Sequence, residues 1–313
     1  MKPVILLFPG QGSQTVGMGL ALADAFPEAK AVFDTADAAL DGGITSVIRT
    51  GPQETLTVSS NAQPAITTVN LAVLAVLRAR GIAPVAAAGH SLGEYSACAC
   101  AGVFDTATAV RLTRKRGQLM QECAIAHPGA MVAVMGLAPE AIDTACAEAA
   151  KETGLVASVA NYNNAEQIVI TGDAVAVRKA AERCTAAGAK RCVDLPVAGA
   201  FHSALMKDAE NGFKPVLDAT TFANPAIPVY ANIDASEKTA AAAVKDALVR
   251  QICGSVRWMQ TIAALRARFP EAAFVECGPG KVLRGLMRRL DKDAVALNVE
   301  DTASLDATLA ALA

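Results

Sequence analysis

Residues 85–93 of this chain read VAAAGHSLG, a short apolar run that leads directly into a glycine-rich turn. The run predicts a buried strand at residues 85–88, and residues 94–101 predict a helix after the turn. The turn fits the pattern G-x-S-x-G, in which two glycines let the chain fold back sharply and project the serine, Ser91. The first N–H groups of the following helix point towards Ser91, where they stabilise negative charge on an oxygen. The stretch therefore predicts an α/β fold with Ser91 as a nucleophile; an inert serine in a tight turn is the alternative.

Strand and helix patterns alternate along most of the remaining chain, which predicts an α/β fold with a mainly parallel sheet. Besides residues 85–88, the predicted strands of this sheet are at residues 4–8, 228–232 and 273–276. The predicted helices are at residues 20–40, 65–80 and 240–252, and the segment NAQP at 61–64 introduces the second of them.

The middle of the chain follows a different pattern. Between residues 130 and 195 the predicted order is strand, helix, strand, strand, helix, strand, which is typical of a ferredoxin-like unit. The polar residues 161–164 separate its two middle strands. We therefore predict an α/β domain of residues 1–128 and 198–313, with an inserted ferredoxin-like small domain of residues 129–197.

Composition excludes several classes of function. The 28 Lys and Arg residues nearly balance the 30 Asp and Glu residues, so the basic stripe of a nucleic-acid-binding protein is not indicated. No apolar run approaches the roughly 20 residues of a membrane span, and the N-terminus lacks the pattern of a signal peptide. None of the eight cysteines forms a CxxC pair, which argues against a zinc site and favours reduced, buried thiols. We therefore expect a cytoplasmic protein that binds neither nucleic acid nor membrane.

A nucleophilic serine needs a base, and the chain has three histidines. His90 adjoins Ser91 in the tight turn, where neighbouring side chains seldom face each other. His127 precedes Pro128 and Gly129 and is expected in a loop. His202 follows the last strand of the predicted small domain and is the best candidate for the base, with a structural histidine as the alternative. In α/β-hydrolases the catalytic histidine lies near the C-terminus, whereas a long segment follows His202 here. The order of the candidate residues therefore does not fit an α/β-hydrolase.

Arg116 interrupts an apolar helix face. The positions that share helical spacing with it are Ala109, Leu112, Leu119, Met120 and Cys123. A buried arginine needs an anion. That anion is either a buried acid of the protein itself or a carboxylate of the substrate, and the sequence leaves both possibilities open.

Five motifs resemble those of the malonyl-CoA:acyl carrier protein transacylase family, in the family's order and across nearly the whole chain. They are FPGQGSQ at 8–14, GHSLGEYSA at 89–97, RGQLMQ at 116–121, AFHSALM at 200–206 and ECGPGKVL at 276–283. The resemblance implies a hydrolase-like large domain with a ferredoxin-like small domain, in agreement with the strand and helix pattern. It also implies transfer of a malonyl group from malonyl-CoA to the phosphopantetheine thiol of acyl carrier protein through an acyl-enzyme, without metal or cofactor.

The resemblance assigns roles to the matching positions. Ser91 is the expected nucleophile, and His202 is the expected base and later the acid that protonates the leaving thiol. The carbonyl of Gln251 is expected to orient His202, which accounts for the lack of a recognisable triad carboxylate. The backbone N–H groups of Gln11 and Leu92 are expected to form the oxyanion hole.

Two positions are expected to select the substrate. Arg116 would clamp the free carboxylate of malonyl and so favour it over acetyl. Phe201 resembles the aromatic residue of malonyl-preferring polyketide acyltransferase domains, where the ring leaves less room for the α-methyl group of methylmalonyl. The alternatives to a malonyl transferase are a serine thioesterase or hydrolase, a non-catalytic carrier-binding module, and a transacylase that serves a polyketide synthase or a malonate decarboxylase.

An acidic carrier protein requires a locally basic docking surface. Two clusters qualify, and the first is Lys190 with Arg191. The second consists of Lys281, Arg284, Arg288 and Arg289, of which the first three have the spacing of one helix face. An ordinary solvated surface is the alternative for both clusters.

Overall fold

The computed structural model describes residues 2–197 and 199–313, so the predicted return to the large domain at residue 198 lies outside the described residues. The strands are β1 (Val4–Phe8), β2 (Pro84–Gly89), β3 (Ala130–Met135), β4 (Ala157–Asn164), β5 (Gln167–Gly172), β6 (Arg191–Asp194), β7 (Val229–Tyr230), β8 (Glu237–Lys238), β9 (Ala273–Cys277) and β10 (Ala296–Val299). They form a six-stranded sheet in the order β10-β9-β1-β2-β7-β8 and a four-stranded sheet in the order β4-β5-β3-β6.

The helices surround these two sheets. They are α1 (Leu20–Ala25), α2 (Pro27–Ala39), α3 (Thr45–Thr50), α4 (Gln53–Thr57), α5 (Ser59–Ala79), α6 (Gly93–Cys100), α7 (Thr106–Ala126), α8 (Pro139–Thr153), α9 (Ala174–Ala186), α10 (Lys207–Ala219), α11 (Ala241–Arg250), α12 (Trp258–Arg268), α13 (Val282–Leu290) and α14 (Thr302–Leu312), with a short 3₁₀ helix at Ala204–Met206.

The large sheet is parallel except for its edge pair β7–β8. Strand β1 lies between β9 and β2, and all five of its residues are buried, because helices cover both faces of the sheet. Leu6 and Phe8 pack into the core that contains α5 and α7, whereas Ile5 and Leu7 pack against α12 and α13. The predicted α/β fold with a mainly parallel sheet is confirmed.

The small sheet is antiparallel and carries α8 and α9 in one apolar cluster. Its connectivity is β3-α8-β4-β5-α9-β6, which is the predicted ferredoxin-like order. The polar residues 161–164 do not separate two strands, as predicted, but belong to β4. They pair there with residues 167–169 of β5, and Tyr162 N–H also donates to the Val256 carbonyl at 2.9 Å. The limits of the two predicted domains stay a prediction.

Two helices differ from the sequence prediction because of proline. The single helix predicted at residues 20–40 is two helices, α1 and α2, which are separated by the extended residue Phe26 directly before Pro27. In α5, Pro64 lies inside the helix rather than at its start. The Ser60 carbonyl, four residues before Pro64, accepts a hydrogen bond from Arg114 Nη1 at 2.6 Å, which replaces the missing backbone bond.

Helix α5 is long enough and apolar enough, by length and composition alone, to cross a membrane. It is not the continuous apolar run of a membrane span, because Thr67, Thr68 and Asn70 interrupt it. In addition, 83% of its most apolar window is buried inside the protein, and Gln63 and Asn70 are among its buried residues. These properties are those of a central core helix.

Candidate active site

Ser91 occupies a strained turn between β2 and α6. Its φ angle is 50°, in the left-handed region that side chains rarely adopt. A Cβ atom on Gly89 would lie 1.9 Å from the carbonyl carbon of Gly93, and one on Gly93 would lie 2.0 Å from the Phe8 carbonyl oxygen. Only glycine fits at either position, which is the physical reason for the G-x-S-x-G pattern.

Asn232, which follows the neighbouring strand β7, fixes this turn from the side. Its Oδ1 accepts a hydrogen bond from Ser91 N–H at 2.6 Å, and its Nδ2 donates to the Gly89 carbonyl at 2.7 Å. The residue is fully buried. Sequence reasoning missed Asn232, although a polar residue at the carboxyl end of a predicted parallel strand was a usable signal.

His202 faces Ser91, as predicted. Its Nε2 lies 2.8 Å from Ser91 Oγ, and its Nδ1 lies 3.0 Å from the main-chain carbonyls of both Gln251 and Gly254. Two carbonyl acceptors require the proton on Nδ1, which leaves Nε2 free to accept the Ser91 proton. Burial and the positive charge of Arg116 together lower the pKa of His202 to about 3, so the ring is neutral at physiological pH.

The other two histidines do not serve Ser91. His90 Nε2 lies 2.9 Å from Asn163 Oδ1 of the small sheet, and the His90 ring packs against Trp258 with 5.5 Å between ring centroids. His127 is half exposed and lies 3.1 Å from Asp208. The choice of His202 from the sequence therefore agrees with the geometry.

Arg116 is the largest charged side chain in the core and is only 1% exposed. Its Nη1 donates to Gln63 Oε1 at 2.9 Å, and its Nη2 donates to Gln251 Oε1 at 2.8 Å and to Ser91 Oγ at 3.2 Å. Its Nε is buried and has no acceptor among the described residues. No carboxylate contacts the guanidinium in residues 2–197 and 199–313, so the direct salt bridge to a buried acid is ruled out there.

Glu94, in the first turn of α6, is the buried acid of this region. Its Oε2 accepts hydrogen bonds from Gln251 Nε2 at 2.8 Å and from Asn232 N–H at 3.0 Å. Burial raises the pKa of Glu94 to about 7, although these two hydrogen bonds and the charge of Arg116 oppose the rise. Sequence reasoning missed Glu94 as well, despite its place within GHSLGEYSA.

The loop after β1 lies directly against the serine turn. A Cβ atom on Gly10 would lie 2.4 Å from the His90 carbonyl oxygen and 3.7 Å from Leu92 N. The side chain of Gln11 donates to Ser59 Oγ at 3.0 Å, which ties the loop to α5. Within the described part of the chain, the backbone N–H groups of Gln11 and Leu92 have no acceptor. Both groups are thus available to an oxygen bound beside Ser91.

A cleft of about 440 Å³ opens beside the turn and passes between the large and small sheets. Gln11 and His90 line it on the side of the serine turn, and Asn161, Asn163 and Gln167 of the small sheet line one wall. Phe201 precedes His202 and packs with the small-sheet side chains Met131, Ala133, Ala160 and Val169. Among the described residues, no group of three or more His, Cys, Asp or Glu side chains could hold a metal ion.

The segment ECGPGKVL forms the far end of this cleft through helix α13. Glu276 is buried on β9, and its carboxylate accepts hydrogen bonds from Leu283 N–H at 3.0 Å and Arg284 N–H at 2.7 Å. It therefore caps the N-terminus of α13, where a negative charge is favourable. This motif thus positions a helix whose exposed residues Val282 and Arg289 line the cleft.

A strained serine at the carboxyl end of a parallel strand, hydrogen-bonded to a neutral histidine, is typical of enzymes that transfer acyl groups through a serine. Residues 5–305 match the sequence profile of the acyl transferase domain. The chain therefore belongs to the acyl transferase domain family, in the branch of the malonyl-CoA:acyl carrier protein transacylases, which confirms the resemblance found in its sequence motifs.

Full-length relatives are similar to the chain throughout. The malonyl CoA-acyl carrier protein transacylase of Bacillus subtilis (strain 168) is 41% identical over 312 residues, covering 100% of this chain and 98% of the relative. Its counterpart in Escherichia coli (strain K12) is 42% identical over 310 residues, covering 99% of each chain. A solved malonyl-transacylase in complex with its holo type II polyketide synthase acyl carrier protein is 41% identical, with a TM-score of 0.94 over 99% of this chain and 100% of that chain.

Proposed function

We propose that this protein transfers a malonyl group from malonyl-CoA to the phosphopantetheine thiol of an acyl carrier protein, through an ester on Ser91. The observation that carries the proposal is the hydrogen bonding of both His202 Nε2 and Arg116 Nη2 to Ser91 Oγ. A base and a carboxylate-binding cation thus meet at one nucleophile. The names of the relatives and their full-length similarity support the malonyl group, CoA and the carrier as substrates.

The first half-reaction loads the enzyme. His202 Nε2 accepts the Ser91 proton while Oγ attacks the thioester carbonyl, and the resulting oxyanion receives hydrogen bonds from the N–H groups of Gln11 and Leu92. The carbon–sulfur bond then breaks, and imidazolium gives its proton to the CoA thiolate. Nδ1–H remains bonded to the Gln251 and Gly254 carbonyls, which stabilises the imidazolium in place of a carboxylate.

The second half-reaction reverses these roles with a new thiol. The phosphopantetheine thiol gives its proton to His202 and attacks the malonyl ester. Breakage of the ester bond returns the proton from His202 to Ser91 Oγ, and the malonyl thioester leaves on the carrier. These steps use only groups of the protein and its two substrates, so the proposed reaction requires no metal or cofactor. We further propose a cytoplasmic location, which agrees with a soluble carrier and with the burial of α5.

The malonyl carboxylate has a second effect in this site. The charge of Arg116 is one cause of the low pKa of His202. When the carboxylate binds Arg116, it offsets that charge, so the pKa of His202 rises and the ring becomes a better base. Binding of the correct acyl group therefore also promotes proton removal from Ser91.

Intact-mass analysis tests the proposed function. Malonyl-CoA should add one malonyl group to the wild type, and carrier protein should then remove it. Ser91→Ala should abolish loading, and His202→Ala should slow it by about 10²–10⁴-fold, the usual contribution of a general base. Loss of the malonyl group to water alone, at the same rate with and without carrier, would show a hydrolase instead. A malonyl adduct at another residue of Ser91→Ala would contradict the assignment of the nucleophile.

A further inference from the structure

The site holds a buried cation and a buried acid that do not touch. Glu94 and Arg116 are each 1% exposed. The side-chain amide of Gln251 lies between them, accepting from Arg116 Nη2 at 2.8 Å and donating to Glu94 Oε2 at 2.8 Å. A single neutral amide thus links the two charges.

This separation has a consequence for ligand binding. The Nε and Nη2 groups of an arginine lie on one edge of the planar guanidinium and bind a carboxylate with two parallel hydrogen bonds. In Arg116, Nη2 lies 3.2 Å from Ser91 Oγ, and Nε has no acceptor among the described residues. A carboxylate of the protein in direct contact would compete for this edge, whereas a carboxylate behind Gln251 offsets the charge while Nε keeps its hydrogen available and Nη2 donates only to Gln251 and Ser91.

We propose that Glu94 is the counter-charge of Arg116 and tunes how strongly the site prefers a thioester with a free carboxylate over acetyl. The inference rests on the proposed function, because it takes the malonyl carboxylate to bind Arg116. Ionised Glu94 makes the empty site less positive and so weakens the attraction for the substrate carboxylate. Protonated or neutralised Glu94 leaves Arg116 uncompensated and strengthens that attraction.

The surroundings of Glu94 make it the group that titrates near neutrality. The charged or titratable groups that face it are Arg116 of α7, Asp234 after β7, and Tyr95 and Cys98 of its own helix. Burial raises the pKa of both Tyr95 and Cys98 well above neutrality, so both remain uncharged. The pKa of Glu94 is about 7, which means that its negative charge develops as the pH rises through 7.

The test is the ratio of the second-order rate constants for acylation by malonyl-CoA and acetyl-CoA, measured between pH 6 and 8.5. Acetyl-CoA carries the same CoA phosphates and uses the same serine and histidine, so the ratio isolates the free carboxylate. In the wild type the ratio should fall about three- to tenfold as the pH rises and Glu94 ionises. In Glu94→Gln, whose oxygen can still accept the bonds from Gln251 and Asn232, the ratio should stay high and be independent of pH.

Glu276→Gln is the matched control. The pKa of Glu276 is also raised to about 7 by burial, but Glu276 caps α13 and has no contact with Arg116. The ratio in this variant should follow the wild type.

The outcomes separate the inference from the proposed function. Failure of the wild type to form a malonyl-enzyme overturns the proposed function. A wild type that loads malonyl with a ratio independent of pH overturns the role of Glu94, even if Glu94→Gln does not fold. If both acylation rates fall in Glu94→Gln while their ratio stays equal to the wild-type ratio at each pH, Glu94 only supports the structure and the inference is wrong.

Discussion

In the proposed mechanism, Arg116 and Ser91 together set the rate and the selectivity of the site. The guanidinium donates to two glutamines and to Ser91, and burial together with its charge lowers the pKa of His202, so the ring stays neutral. Because the ring is neutral, His202 Nε2 carries no proton and can accept the proton of Ser91 directly. The same charge also makes His202 a weaker base until an anion pairs with Arg116.

Replacing Arg116 with alanine should therefore slow acylation by malonyl-CoA without slowing acylation by acetyl-CoA. Malonyl loses a charged hydrogen bond worth roughly 1.5–3 kcal/mol, while acetyl gains from a more basic His202. The malonyl-to-acetyl ratio of acylation rates should fall by about tenfold to a hundredfold, with acetyl spared or improved. Both rates are measured by single-turnover mass spectrometry. An equal fall in both would show that Arg116 acts only through packing.

At the scale of elements, the serine turn depends on three segments that are far apart in sequence. Strand β2 ends in the turn, β1 lies against its glycines, and the residue after β7 holds its backbone. The G-x-S-x-G pattern predicted the turn because both glycines are visible in the sequence, although the lack of space at Gly93 comes from Phe8 of β1. The sequence marked Asn232 only as a polar residue at the carboxyl end of a predicted strand, and its bonds to the serine turn depend on β7 pairing with β2.

The difference between local sequence signals and contacts of distant segments also explains the other successes and failures of sequence prediction. Strand β1 and the ferredoxin-like order were predictable, because apolar runs and turn residues record local structure. Residues 161–164 were misassigned because they are polar but still pair with β5, so that the turn lies only at residues 165–166. Ser91, His202 and Arg116 could be proposed from motifs, whereas Glu94 acts through Gln251, and no spacing in the sequence links these two residues.

Asn232→Ala tests the contribution of the neighbouring strand. The change leaves Ser91 N–H and the Gly89 carbonyl without their partners in a buried place, and each such loss costs about 1–3 kcal/mol. Denaturant unfolding should show a loss of about 2–6 kcal/mol in the free energy of unfolding, and malonyl loading should fall because the serine turn relaxes. Asn224→Ala is the control, because this exposed residue only accepts from Ala241 N–H at the start of α11. Equal effects of the two changes would contradict the special role of Asn232.

At the scale of the whole molecule, the two sheets meet around the active site. Strand β4 pairs with the segment around Val256, directly after the Gln251 and Gly254 carbonyls that hold His202. Asn163 of the same strand contacts His90, next to the nucleophile. The small sheet thus contacts the segment that holds His202 and the residue next to Ser91, and it forms one wall of the cleft beside the serine turn.

Only part of the second predicted docking cluster, Lys281, Arg284, Arg288 and Arg289, is free to contact a carrier protein. Lys281 forms an ion pair with Glu300 at 2.8 Å, and Arg284 is half-buried with its guanidinium bonded to Asn298 and the Ala296 carbonyl. Charge reversal at Arg284 would therefore disturb the packing of α13 on β10 rather than test docking. Arg288 and Arg289 are exposed and have no ion-pair partner in the described part of the chain.

Reversing Arg288 and Arg289 to glutamate should weaken the use of carrier protein. An acidic carrier must bring its phosphopantetheine arm to the cleft that Arg289 lines, and two exposed charges worth up to about 1 kcal/mol each predict a rise of about tenfold in its KM. The rise should shrink at high salt, because exposed charges are screened.

The single change Arg288→Glu is the control that separates carrier docking from contact with CoA. Arg288 does not line the cleft, so loading by malonyl-CoA should stay unchanged in this variant. If Lys190→Glu with Arg191→Glu raises the KM instead, the carrier docks on the small sheet; if neither pair matters, electrostatic docking at both clusters is wrong.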